Sequence, residues 1–252
     1  KKTSAGEKKT KYHYHCLPQR VIDCVRELKP SVNTDCLEPW SEETALRWMK
    51  ENDYGRIMLS LNFPQLWQMG EYGISLVLRV YNEEVAKICR KAPEHFGAFG
   101  AIDVNQPLFA INEINYCIDT LKLEGICLTT NLLRKPFGTL LDEQIMERIA
   151  ALNCYILLHP EDSTGIPLLN ENYLDALYFM AKSFYLGMFE KYFTKTKFIL
   201  THTGGAMMYL ANPINLLYYM TAKKAKMGQY VWDNMVKHQP KGYNYLMNTI
   251  ID

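Results

Sequence analysis

Residues 155–160 read Tyr155-Ile156-Leu157-Leu158-His159-Pro160. A short apolar run of this kind suits a strand buried on both faces, and Pro160 stops it. His159 therefore sits at the carboxyl end of an interior strand. The pattern recurs at Phe198-Ile199-Leu200-Thr201-His202, which leads into Thr203 and the turn Gly204-Gly205. Those glycines let backbone approach a ligand closely and open the next helix, whose N-terminus favours an anion.

Working outward, further short apolar runs predict strands at 12–17, 56–61, 96–102, 125–129, 154–159 and 197–201, and a weaker one at 243–251. Helical spacing fills the intervals. Ser41 can cap a helix whose first turn carries Glu42 and Glu43, which complement the positive end of the dipole. Ile111, Ile114, Ile118 and Leu121 form one apolar stripe after Pro107, and Leu141, Ile145, Ile149 and Leu152 form another. Strands alternating with helices argue for a parallel sheet with helices packed outside it. Seven such units point to a (β/α)8 TIM-type barrel more than to an open doubly wound sheet. Barrels of this kind keep their chemistry at the carboxyl ends of the strands.

The first eleven residues hold five lysines and no large apolar side chain, so 1–10 are expected to be a solvated basic tail, with the barrel domain over 11–252. Hydrophobic residues make up 48% and charged residues 22%, a globular balance rather than a disordered one. A net charge of +1 gives no global field toward nucleic acid or acidic membrane. No apolar run is long enough to span a bilayer, and the tail lacks the apolar region of a secretory signal. Seven cysteines without a CxxC pair suit reduced, buried thiols, and hence a cytoplasmic protein, better than a disulfide framework.

Only six histidines occur. His13 and His15 lie in Lys11-Tyr12-His13-Tyr14-His15, and residues two apart on a strand point to one face. Two imidazoles aimed at one point suit a divalent transition metal such as zinc, although a surface strand with two exposed histidines reads the same way. His159 and His202 repeat the strand-end placement. His95 and His238 lie in polar, helix-ending contexts and are read as surface residues.

The ordered set of His-x-His at 13–15, Leu158-His159-Pro160 and Thr201-His202-Thr203-Gly204-Gly205 resembles the decarboxylase branch of the amidohydrolase superfamily. That branch is the aminocarboxymuconate-semialdehyde decarboxylase family, with its relatives acting on hydroxybenzoates. Phe99-Gly100-Ala101-Ile102, the stretch 118–125, Leu128-Thr129-Thr130-Asn131 and the stretch 187–192 add to the likeness, which runs from about Lys11 onward. The resemblance implies a zinc, or another divalent metal such as manganese, held by His13, His15 and His159. It places His202 beside the metal or substrate as the catalytic proton donor. It further implies non-oxidative loss of CO2 from a small aromatic or unsaturated carboxylic acid, with no carbamylated lysine, and indeed 125–131 holds none.

Three departures stand out. Lys11 occupies a place where the family has an acidic residue, and Asn248 one where it has an aspartate. The Gly-[ST]-Asp motif of the eighth strand does not occur before Asp252. The barrel thus lacks its last β/α unit in this sequence, and an open barrel would expose two strand edges. A longer parent chain is the expectation, with a degenerate member or a gap filled by a partner chain as the other readings.

Candidate substrate-binding residues lie on loops after strands: Asn62, Phe63 and Asn131, with Pro64, Glu161 and Asp162 nearby. Arg79 could pair with a substrate carboxylate, and Trp67 and Tyr81 could stack on a flat ring. The aromatic residues Tyr178, Phe184 and Tyr185 are too many for one helical stripe, and a homodimer contact is one use for them. Two rival functions remain: a metal-dependent hydrolase of a lactone, ester or amide on the same fold, and a non-catalytic relative.

Overall fold

The computed structural model describes residues 8–63, 66–129, 131–132, 135–136, 143–152, 154–159, 192, 196–202 and 250–251. The chain divides into two compact units, Lys1–Leu128 and Thr129–Asp252.

The first unit contains β1 (Lys9–His15), α1 (Gln19–Leu28), α2 (Glu42–Glu51), β2 (Tyr54–Ser60), α3 (Gly70–Lys91), β3 (Phe96–Ile102), α4 (Pro107–Asn115) and β4 (Gly125–Thr129). Its strands pair in the order β1-β2-β3-β4, and every pairing is parallel. Parallel strands need crossovers, and the helices supply them. Every residue of β3 is buried, which is why it reads as one unbroken run without alternation. Around it pack Ile22, Ile57, Leu59, Ile74, Tyr81 and Ile114, all at most 2% exposed. At about 25 cal/mol per Å2 of apolar surface, each such side chain stabilises the unit by roughly 1.5–3 kcal/mol.

Two expectations are corrected here. The first strand begins at Lys9 rather than Tyr12 and ends at His15 rather than Leu17. Backbone pairing with β2 from Lys9 opposite Tyr54 recruits residues that carry no apolar signal. The strand also bulges between Lys11 and Tyr14, where three steps along β1 match two along β2. The second correction concerns the helix after Pro107. A π turn over Tyr116–Thr120 follows α4 and shifts its phase. The buried line becomes Ala110, Ile114 and Cys117, while Ile111, Ile118 and Leu121 are only half-buried. Gly100 makes room for that turn, since a Cβ there would lie 2.5 Å from Cys117 Sγ.

At the far end of β3 the sheet hands over to a side chain. The β2–β3 register runs from Ile57 opposite Phe96 to Leu59 opposite Ala98. Further on, fully buried Asn82 of α3 accepts from the Ala101 amide (2.7 Å) and donates to the Ala101 carbonyl (3.1 Å). Its Nδ2 also donates to Glu113 Oε1 at 2.7 Å. Ser41 caps α2 as its sequence suggests, its hydroxyl accepting from the Thr44 amide at 3.3 Å.

The second unit contains a two-residue antiparallel pair, β5 (Asn131–Leu132) with β6 (Lys135–Pro136), then α5 (Glu143–Ala150), β7 (Tyr155–His159), β8 (Lys197–Leu200) and β9 (Ile250–Ile251). β8 pairs in parallel with both β7 and β9. Ile145, Ile149 and Leu152 are buried as their spacing predicts. Parallel strands alternating with helices in both units fit a partial (β/α) barrel. The weaker strand expected at 243–251 falls within the described residues only at Ile250–Ile251, and Leu141, Asn248 and the helix expected over 174–193, Tyr192 apart, lie outside them.

No disulfide joins the cysteines. No described helix is long and apolar enough to cross a membrane.

Candidate functional site

In the first unit, His13 and His15 share the last turn of β1, their ring centroids 4.6 Å apart and their planes at 72°. Alternation along the strand accounts for the approach, even with the bulge between Lys11 and Tyr14. His13 is half-buried, with Nε2 shielded from solvent, and His15 is exposed. Both offer imidazole nitrogens, donors of the kind a divalent transition metal takes.

In the second unit, register sets up the other pair. Leu158 stands opposite Leu200, so His159 ends β7 beside Thr201. Thr201 is fully buried, and its amide (3.3 Å) and hydroxyl (3.1 Å) both donate to the Leu158 carbonyl. These two hydrogen bonds fasten the two strand ends together. His202 follows with φ 51°, in the left-handed region. A residue with a Cβ pays roughly 1–2 kcal/mol there, and such strain gathers at functional positions. His159 is 7% exposed and His202 half-buried. Their Nε2 atoms lie 3.4 Å apart, with ring planes at 75°. Two imidazole nitrogens facing each other at this range suit a shared cation or proton.

The remaining residues singled out in the sequence fall as follows. Phe63 is buried and Asn62 half-buried on the loop after β2. Asn131 opens β5. Arg79 lies on α3, where Nε donates to Glu113 Oε2 at 2.8 Å and the guanidinium sits 4.0 Å over the Tyr116 ring. Donating to the Glu113 carboxylate raises the Arg79 pKa. That pairing engages the group the sequence offers to a substrate carboxylate. Tyr81 is fully buried in the first unit's core, and burial holds its phenol well above the ordinary range. His95 is half-buried, with Nδ1 3.4 Å from the Gly55 carbonyl oxygen, at the start of β3. Pro64, Glu161, Asp162 and His238 lie outside the described residues.

One carboxylate at a strand end escaped the sequence reading. Asp103 directly follows β3, is 4% exposed, and accepts from the Asn105 amide and side chain through Oδ1, both at 2.9 Å. Its signal was available: an acid immediately after an unbroken buried run. It borders a cleft of about 200 Å3 between α3 and α4, lined also by Tyr72, Arg79, Phe109 and Glu113.

The fold is similar to that of solved amidohydrolase-type structures. An amidohydrolase II structure matches 97% of this chain and 78% of its own at TM-score 0.76 and 19% identity. The 2,6-dihydroxybenzoate decarboxylase from Rhizobium matches 81% of this chain and 69% of its own, at TM-score 0.60 and 24% identity. The 5-carboxyvanillate decarboxylase from Novosphingobium aromaticivorans, complexed with manganese and 4-hydroxy-3-methoxy-5-nitrobenzoic acid, covers 89% and 73% at TM-score 0.72 and 14% identity. The resemblance read from the sequence and the structural likeness thus point to one group. At these identities the likeness establishes the fold. No family model and no curated protein matches the sequence.

Proposed function

We propose that this protein is a metal-dependent carboxy-lyase that removes CO2, without oxidation, from a small aromatic or unsaturated carboxylic acid. The observation behind it is the placing of histidines at strand ends, His13 and His15 on β1 and His159 on β7, in a fold shared with decarboxylases of aromatic acids. By the resemblance of their sequence motifs, these three would hold one divalent ion, with His202 as the proton donor. Imidazole donors fit zinc and also manganese, the ion in the 5-carboxyvanillate enzyme.

Bound there, the ion would supply positive charge that fixes the substrate's oxygens and stabilises charge developing as the carboxylate departs. The chain supplies the rest. Phe63, 3% exposed, gives an apolar wall against which a flat ring can pack, and Asn62 gives amide donors and an acceptor to orient polar substituents. Asn131 follows β4 closely enough to contribute from the next loop. Apolar walls around the departing carboxylate favour its conversion to neutral CO2.

The test is CO2 release by the purified protein from a panel of hydroxybenzoates and unsaturated diacids, with His159→Ala alongside. The reading expects release that the substitution abolishes. Release unchanged by His159→Ala, or none from any acid by the metal-loaded wild type, would remove it.

A further inference from the structure

The loop after β2 ends in a single 3-10 turn, Leu66–Met69, before α3 begins. Its two ends are held differently. At the near end the Leu66 amide donates to the Phe63 carbonyl at 2.9 Å, and the two side chains are 2% and 3% exposed. At the far end stands Gly70, whose φ of 72° lies in the left-handed region. Among the described residues nothing lies within 4 Å of the place its Cβ would take. Glycine keeps backbone freedom there that another residue would lose.

A cation from elsewhere in the chain reaches that freer end. The Lys29 ammonium donates to the Gln68 carbonyl at 2.6 Å, across 39 positions of sequence. A charged donor makes a shorter and stronger hydrogen bond than a neutral one. The backbone around Lys29 fixes where its side chain starts. Lys29 ends α1, its amide donating to the Val25 carbonyl at 2.8 Å and its carbonyl accepting from the Val32 amide at 3.0 Å. Val25 and Val32 are 1% and 3% exposed, and α1 packs along α3. An exposed lysine is costly in rotamer freedom to hold in one place, and here it starts from a backbone anchored on both sides.

We propose that Lys29 is a positioning residue for substrate binding. By holding Gln68 it fixes the 66–69 turn and, through the Leu66–Phe63 hydrogen bond, the placement of Phe63 and its neighbour Asn62. This rests on the carboxy-lyase reading above, in which that loop receives the acid. Lys29 acts only through the loop, so its loss weakens substrate binding and spares the chemical step.

Lys29→Met keeps the length of the side chain and removes the donor, while Lys29→Arg keeps a donor. With an acid that the wild type decarboxylates, KM should rise about three- to tenfold in Lys29→Met with kcat within about twofold of wild type, and Lys29→Arg should recover most of the change. Hydrogen exchange at the Leu66 amide, followed by NMR, is a second readout independent of turnover. It should quicken about threefold or more in Lys29→Met while the amides of β3 keep their wild-type rates. Unchanged KM, or Leu66 exchange equal to wild type, would overturn the proposal and leave the carboxy-lyase reading in place. A wild type that releases CO2 from no acid would overturn that reading, and the part given to Lys29 with it.

Discussion

Asn82 on α3 grips both backbone groups of Ala101 in β3, its Oδ1 2.7 Å from the amide nitrogen and its Nδ2 3.1 Å from the carbonyl oxygen. One buried side chain thus takes up a strand's hydrogen bonds where β3 runs on past its pairing with β2. Asn82→Ala would leave an amide, a carbonyl and part of Glu113 without this partner. Each orphaned buried group costs about 1–3 kcal/mol, so the variant should lose roughly 2–5 kcal/mol in urea denaturation. Asn82→Asp should be destabilising too, because it sets a carboxylate against Glu113. A loss below about 0.5 kcal/mol for the alanine variant would show that the clamp is idle.

Ser41 offers a smaller and cleaner case. Its hydroxyl caps α2 at the Thr44 amide, and Ser41→Ala should lower stability by about 0.5–2 kcal/mol while Ser41→Asp restores most of it. Thermal or urea midpoints of the three proteins decide the matter.

The buried thiols predict a response to alkali. Burial raises the pKa of Cys16 and Cys117, and burial together with nearby Glu124 pushes Cys89 up to about 12 from 9.0. As pH climbs, the unfolded chain releases these protons first. Stability is therefore intact below about pH 9 and is lost progressively between about pH 9 and 12. Cys89→Ala should make that loss shallower, which urea midpoints at about pH 8 and about pH 10.5 can reveal. At neutral pH an alkylating reagent should modify exposed Cys36 well before Cys16 or Cys117.

On the proposed function, substitutions in the loop after β2 should affect substrate binding and spare metal binding. Asn62→Ala and Phe63→Leu should raise KM for a decarboxylated acid several-fold and leave metal content at the wild-type level. A fall in metal content with no change in KM would place these residues elsewhere in the account.

Much of this was legible in the sequence, for physical reasons that differ by element. β3 and β4 were read to the residue because both are buried strands whose continuous runs end at turn signals. The start of β1 was missed because backbone pairing, not apolarity, recruits Lys9 and Thr10. The stripe after Pro107 was misread because a π turn leaves no trace in apolar spacing. The positions of His159 and His202 at strand ends followed from the short apolar runs before them, and those of His13 and His15 from their two-residue spacing. What the sequence could not show is conformation within those ends: the bulge between Lys11 and Tyr14, the left-handed backbone of His202, and the 3.4 Å between its Nε2 and that of His159. Arg79 likewise looked available until Glu113, far along the chain, was found against it.

The central claim is a histidine-held metal, and elemental analysis of the purified full-length protein tests it most directly, wild type beside His13→Ala/His15→Ala. The account predicts about one zinc or manganese per wild-type chain and almost none in the double variant, with both proteins folded by circular dichroism. A folded wild type that stays metal-free after incubation with either ion, or a double variant that keeps the wild-type content, would contradict it.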